Sequence, residues 1–172
     1  MAQVFNSDAG EATSNSYVTL AEANQYIENR YGTGSTWTTW DALTDAQKQE
    51  KLILGCDYIE QKYSENWNTG YRQVTTQRLS WPRHDAYYYE SYTYFQITDV
   101  PQEVKEAQIE ACVELISNET DLLPSYDRST KSEKVGSLEV VYMDSAGNLK
   151  TFPKVVGRLR RLLTSGMRVV RG

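Results

Sequence analysis

The 172-residue chain offers little that could make or break bonds. His84 is its one histidine, which excludes a multi-histidine metal site and the paired-histidine zinc helix. A nucleophilic pair would have to join a serine or cysteine to His84, beside Asp85 in a tyrosine-rich stretch, and no spacing fixes that geometry. Cys56 falls in the apolar stripe of a helical pattern, the place of a small buried hydrophobe rather than a nucleophile. Two cysteines, Cys56 and Cys112, can build neither a disulfide framework nor a four-cysteine zinc site. Glu103, Glu106, Glu110 and Glu114 recur at helical spacing, but the Glu-x-x-His pairing of bundle metal sites is missing. They read as a solvated or channel-facing acidic face. Gly32-Thr33-Gly34 lacks the third glycine of a dinucleotide turn, and no phosphate-binding loop occurs. The sequence therefore predicts a protein that is not an enzyme, with no catalytic residue, cofactor or metal.

Binding chemistry has more material. Trp81, Arg83 and the aromatic run from Tyr87 to Ile97 supply stacking surfaces, and the C-terminal tail supplies cations, as single-strand binders require. Residues 145–172 hold seven of the 18 basic residues and none of the 23 acidic ones, so the tail carries +7 and residues 1–144 carry −12. Such asymmetry suits a basic arm that meets an acidic partner or a phosphate backbone, or a cationic helix lying on its own acidic body. Backbone binding rests on many Lys and Arg contacts. The acidic body therefore predicts weak DNA affinity confined to the tail, and Trp81 with Arg83 reads as a structural anchor packed by its indole. Thirteen tyrosines against three phenylalanines fit surfaces that become interfaces.

The elements that must position these groups are mainly helical. Thr19-x-x-Glu22 and Thr44-x-x-Gln47 are capping boxes, with helices predicted over about 20–31 and 45–63. Pro101 opens a third helix that ends near Asn118. Residues 1–16 read as a flexible arm, 17–118 as a helical body with a Tyr-rich hairpin or loop at 84–98, and 119–134 as a linker. Residues 135–172 read as a β segment plus a basic helical docking arm. The strand is placed at 135–143, with a turn after Asp144 and a possible return over 149–152. No secretory signal or membrane-spanning run is evident, which fits an intracellular protein. The fold class is thus mainly α: a small helical bundle with a short C-terminal β segment and a C-terminal helix and tail.

Five segments in order carry a resemblance: Ser16–Asn24, Leu52–Tyr58, Gln77–Arg83, Val100–Ala107 and Gly136–Tyr142. Together the chain resembles the head–tail adaptor (connector, head-completion) proteins of tailed bacteriophages, a group also labelled DnaT-like single-stranded-DNA-binding proteins. The resemblance implies a structural virion protein in the neck, assembled in the host cytoplasm as a ring of twelve copies below the portal. Such a ring extends the DNA channel, lets DNA pass without sequence-specific binding, and docks the next tail component. The alternative is a single-stranded-DNA-binding replication protein. Under the adaptor reading, the portal or subunit interface comprises Leu138, Val140, Val141 and Tyr142 of the strand with Val155, Arg158, Leu159, Arg160, Arg161, Leu162 and Arg168 of the arm. Both segments are apolar beyond what a three-helix body can cover, so 135–171 is expected to be loosely docked on a free monomer.

Overall fold

The computed structural model describes residues 4–68, 70–88, 91–118, 122–123, 132–135, 138–141 and 149–163. Five helices carry the body: α1 (Leu20–Tyr31), α2 (Ser35–Asp41), α3 (Asp45–Tyr63), α4 (Gln102–Asn118) and α5 (Pro153–Leu159). Between α3 and α4 lie two antiparallel two-residue ladders, β1 (Tyr71–Arg72) with β2 (Arg83–His84), and β3 (Tyr87–Tyr88) with β4 (Thr93–Tyr94). A third hairpin pairs β5 (Ser132–Val135) with β6 (Leu138–Val141). The chain is mainly helical with a few short antiparallel strands, and no described helix is long and apolar enough to cross a membrane.

Both capping boxes form: each N-cap threonine hydroxyl accepts from the backbone N–H of the third helical residue, and the threonine N–H donates to that residue's side chain in return. α1 and α3 begin and end where the apolar spacing places them. α2 escapes that pattern: its Ser-Thr-Trp-Thr-Thr-Trp sequence is rich in β-branched residues, and it is held by burial of Trp40. The Trp40 indole N–H donates to Asn24 Oδ1 at 2.8 Å.

α4 runs through the centre. It crosses α3 at Gly55, where an added Cβ would lie 2.9 Å from the Gln108 carbonyl oxygen. Gln108 is fully buried and three-way satisfied: Oε1 accepts from Tyr17 N at 2.8 Å, and Nε2 donates to Ser16 Oγ at 2.8 Å and Leu52 O at 2.9 Å. That contact ties down the N-terminal segment, which is not the free arm its composition predicts. Asn15 is buried, donates to Val4 O at 2.8 Å and accepts from Asn6 N at 2.8 Å. Small polar side chains that read as disorder here bond to the backbone instead.

Three further expectations are corrected. The α4 carboxylates are not a solvated or channel-facing row, because α1 and α5 cover them. Glu110 has a side chain 1% exposed and accepts from Tyr26 and Tyr31 hydroxyls at 2.7 Å each. Arg158 of α5 lies 2.7 Å from Glu106 and 4.0 Å from Glu110. Second, the arm is not loosely docked over residues 149–163. Phe152, Val155, Leu159 and Leu162 are buried in the main core, and Tyr58 and Lys62 of α3 donate to the Lys150 and Leu149 carbonyls. A basic helix beside an acidic one buries its apolar face at home. Third, β6 pairs with β5 rather than with 149–152, in a register that leaves two residues between the strands. Such a spacing closes a hairpin, but Ser132-Glu133-Lys134 looks like linker because its charge hides the strand. The expected turn after Asp144 lies outside the described residues.

Ending the chain after residue 148 removes those four buried side chains, worth about 1.5–3 kcal/mol each, against a typical total stability of about 5–15 kcal/mol. The truncated chain is expected to lose its cooperative melt by circular dichroism. A truncated chain that melts like the full one would show that α5 is not part of the core.

Candidate nucleic-acid interface

The α3–α4 connection carries two rows of aromatic rings, one inside and one outside. Trp81 is 2% exposed and packs edge-on against Trp67 at 5.7 Å and Phe95 at 5.6 Å between centroids. Phe95 meets Tyr88 at 4.5 Å. On the outside, Tyr71 stacks on its cross-strand partner His84 at 5.2 Å, and Tyr87 contacts Tyr92 at 5.6 Å and Tyr94 at 5.2 Å. Tyr71, Tyr92 and Tyr94 are 61%, 65% and 64% exposed.

Local backbone chemistry sets this arrangement. Gly70 has φ +73°, and a Cβ there would run into the His84 carbonyl and sit 3.0 Å from Ala86 N. Asp85, with φ 53°, turns the chain between the two ladders, a conformation aspartate tolerates better than most. Phe95 N donates to Ala86 O at 2.9 Å, and Tyr92 N to Tyr88 O at 2.8 Å, which closes the second hairpin.

Two arginines stand opposite each other on the first ladder, Arg72 against Arg83. Like charges directly opposite on a ladder are destabilising by a few tenths to about 1 kcal/mol. The Arg83 guanidinium lies 5.9 Å from the Trp81 ring centre and donates to the Gly70 and Ser80 carbonyls. Burial holds its pKa below the ordinary arginine value, and the neighbouring Arg72 cation adds to the shift. Asp85 is exposed on the same turn.

Beneath the loop, Glu60 of α3 accepts from the Tyr17 hydroxyl, from Ser80 N at 3.0 Å and from Ser80 Oγ at 2.9 Å. Burial pushes its carboxyl above the usual range, against those hydrogen bonds, which favour the ionised form. Burial, ahead of its hydrogen bond to Glu103, likewise pushes the Tyr88 phenol up to about 12.

The end of α5 reaches this loop. Leu163 makes an antiparallel bridge with Trp67, and Asn68 donates through its N–H to Leu162 O at 2.9 Å and through Nδ2 to Arg161 O at 3.1 Å. The Arg161 guanidinium lies 4.2 Å over the Tyr88 ring, and Tyr88 donates to Glu103 at 2.6 Å.

Among the residues singled out by sequence, Trp81 and Arg83 meet in this loop and Arg161 joins them through Tyr88. Val155, Leu159 and Leu162 face the core, Arg158 is engaged by Glu106 and Glu110, and Arg160 is exposed. Leu138, Val140 and Val141 lie on β6, while Tyr142 and Arg168 fall outside the described residues. Sequence reading missed Tyr71, Arg72 and His84 as a group. A two-residue ladder is too short for periodicity, and only Gly70 followed by an aromatic residue hinted at a close backbone approach. Among the described residues no group of three or more His, Cys, Asp or Glu could hold a metal ion.

The family model described as "Putative DnaT-like ssDNA binding protein" matches residues 1–172, and the chain belongs to that family. No curated protein and no solved structure matches it.

Two outcomes are expected for the supports of this loop. Trp81→Ala should lower stability by about 3–5 kcal/mol in chemical denaturation; an unchanged midpoint would mean the inner ring row does not hold the loop. For Glu60, a raised folded pKa means the folded chain binds the proton more tightly than the unfolded one. Its contribution is then complete below the ordinary carboxylate range and is lost as pH rises through the folded value. The melting-temperature advantage of wild type over Glu60→Gln should therefore shrink as pH rises above the ordinary carboxylate range. A difference independent of pH would refute that burial effect.

Proposed function

From that membership and the exposed rings together, we propose that the protein binds single-stranded DNA, with Tyr71, Tyr92 and Tyr94 as stacking surfaces on the α3–α4 loop. The observation that carries this reading is the outer ring row beside the opposed Arg72 and Arg83. Base–aromatic stacking contributes about 1–3 kcal/mol per base and needs no sequence readout. A phosphate beside the two arginines would relieve their repulsion. The body's charge of −12 works against phosphate contacts elsewhere, so stacking must supply much of the affinity. The reading is non-catalytic.

A second reading, the head–tail adaptor of tailed bacteriophages, is favoured by that same acidic body. With a net charge of −12 over residues 1–144, a lumen lined by this body would repel DNA and let it slide. In a ring of copies below a portal, the outer tyrosines would face a neighbouring subunit.

Anisotropy titration of a labelled oligothymidylate tests both. Tyr92→Ala with Tyr94→Ala should weaken binding by roughly tenfold or more, at about 1–3 kcal/mol per lost stack, with melting unchanged. Absence of binding by the wild type at low salt, together with a ring-sized mass in light scattering, would instead establish the adaptor.

A further inference from the structure

Resting on the single-stranded DNA reading, we propose that the cavity between the N-terminal segment and the start of α4 takes one base of the bound strand. Asp99 and Lys105 there select a base with an exocyclic amino group, cytosine before thymine. The cavity has a volume of about 500 Å³, within the roughly 300–1,000 Å³ of small-molecule clefts. Four stretches of chain line it: Ser7 with Ala9, residues of the Tyr17–Glu22 segment, the return from the hairpin over 95–101, and the start of α4 as far as Lys105. Phe95 on its wall directly follows Tyr94, whose ring is 64% exposed. A strand stacked on Tyr94 therefore lies one residue from the cavity.

The walls are held without a ligand. The Tyr17 hydroxyl donates to Glu60, and Glu22 accepts from Thr19 N with Oε2 and from Lys105 Nζ with Oε1, at 2.7 and 2.6 Å. Phosphate is the poorer occupant, because two carboxylates, Glu22 and Asp99, line the cavity against the single ammonium of Lys105. A neutral base avoids that repulsion, and Phe95, Val100 and Pro101 offer apolar surface to its ring.

The polar groups left over decide which base. Both Glu22 oxygens are already taken, by Thr19 and Lys105. Asp99 is exposed, and among the described residues its carboxylate receives one donor, the Thr98 hydroxyl at 3.4 Å, longer than a good O–H···O bond. Lys105 spends one of its three N–H donors on Glu22. The cavity thus offers an acceptor and a donor with capacity to spare. Cytosine matches both: its N4 amino group donates to a carboxylate, and the adjacent ring N3 accepts from an ammonium. Thymine carries the carbonyl oxygen O4 in place of that amino group, which sets acceptor against acceptor at Asp99.

Anisotropy titration of the full-length protein with an alternating cytosine–thymine strand and an all-thymine strand of equal length tests the site. The wild type should bind the cytosine-containing strand about fivefold or more tightly, the discrimination of one such base contact. Asp99→Ala should remove that preference. Because the two strands carry equal charge, the general effect of losing a carboxylate cancels in the ratio. Ala9→Trp, which fills the cavity from the N-terminal segment, should remove it too. Should that variant fail to fold, Asp99→Ala, at an exposed position, decides alone. A wild type that binds both strands equally, or a folded Asp99→Ala variant that keeps the preference, overturns the base site and leaves the single-strand reading standing. A wild type that binds no single-stranded DNA overturns both.

Discussion

Burying a carboxylate costs several kcal/mol unless its oxygens are taken up by donors, and the packing of this body is organised around meeting that cost at Glu110. Its side chain lies almost wholly out of solvent on the central helix. Tyr26 and Tyr31 of α1 donate to it, Arg30 stands 3.3 Å away, and Arg158 approaches from α5. Lys154 then donates to the Tyr31 hydroxyl at 3.3 Å. Two helices from opposite ends of the chain are thereby held against α4 by one acid. Removing any one donor would leave the charge less satisfied, so the contacts stand or fall as a set. Two residues earlier on α4, Gln108 does the equivalent for the N-terminal segment and α3 with neutral bonds.

The same helix fixes what the α3–α4 loop can present. Glu103, at the start of α4, receives Tyr88 and Arg161, while Trp67, Trp81 and Phe95 fill the space beneath. Trp67 and Trp81 are taken up by the core with Phe95 packed on them, and Tyr71, Tyr92 and Tyr94 stay outside it. Large aromatic surfaces left outward on a loop anchored by buried tryptophans are what the proposed single-strand binding would use. The loop is rigid in its base and open at its rim, the arrangement a stacking surface needs.

The charge asymmetry of the sequence takes a different meaning in three dimensions. Much of the basic C-terminal helix neutralises its own acidic neighbour, which explains how a body of −12 can pack two charged helices face to face. Arg161, past the end of that helix, meets Tyr88 and Glu103 rather than extending on a detached arm. Charge that looks long-range along the chain is thus mostly spent at short range.

Helix extents were legible in the residues: two capping boxes and apolar spacing at three and four residues specify α1 and α3 locally, within a turn or two of chain. The mainly helical class was equally readable, because it depends on residue spacing alone. What the tertiary structure decided was the fate of side chains whose partners lie far away in sequence. Glu110 looks like its neighbours on a helical stripe until Tyr26, Tyr31 and Arg158 close over it from 84, 79 and 48 positions away. Likewise, nothing near Tyr71 announces His84, and nothing near Arg161 announces Tyr88. Local propensity acts over one turn of helix or one strand. Burial, ring contact and ion pairing depend on which distant elements meet, and only the packed chain sets that.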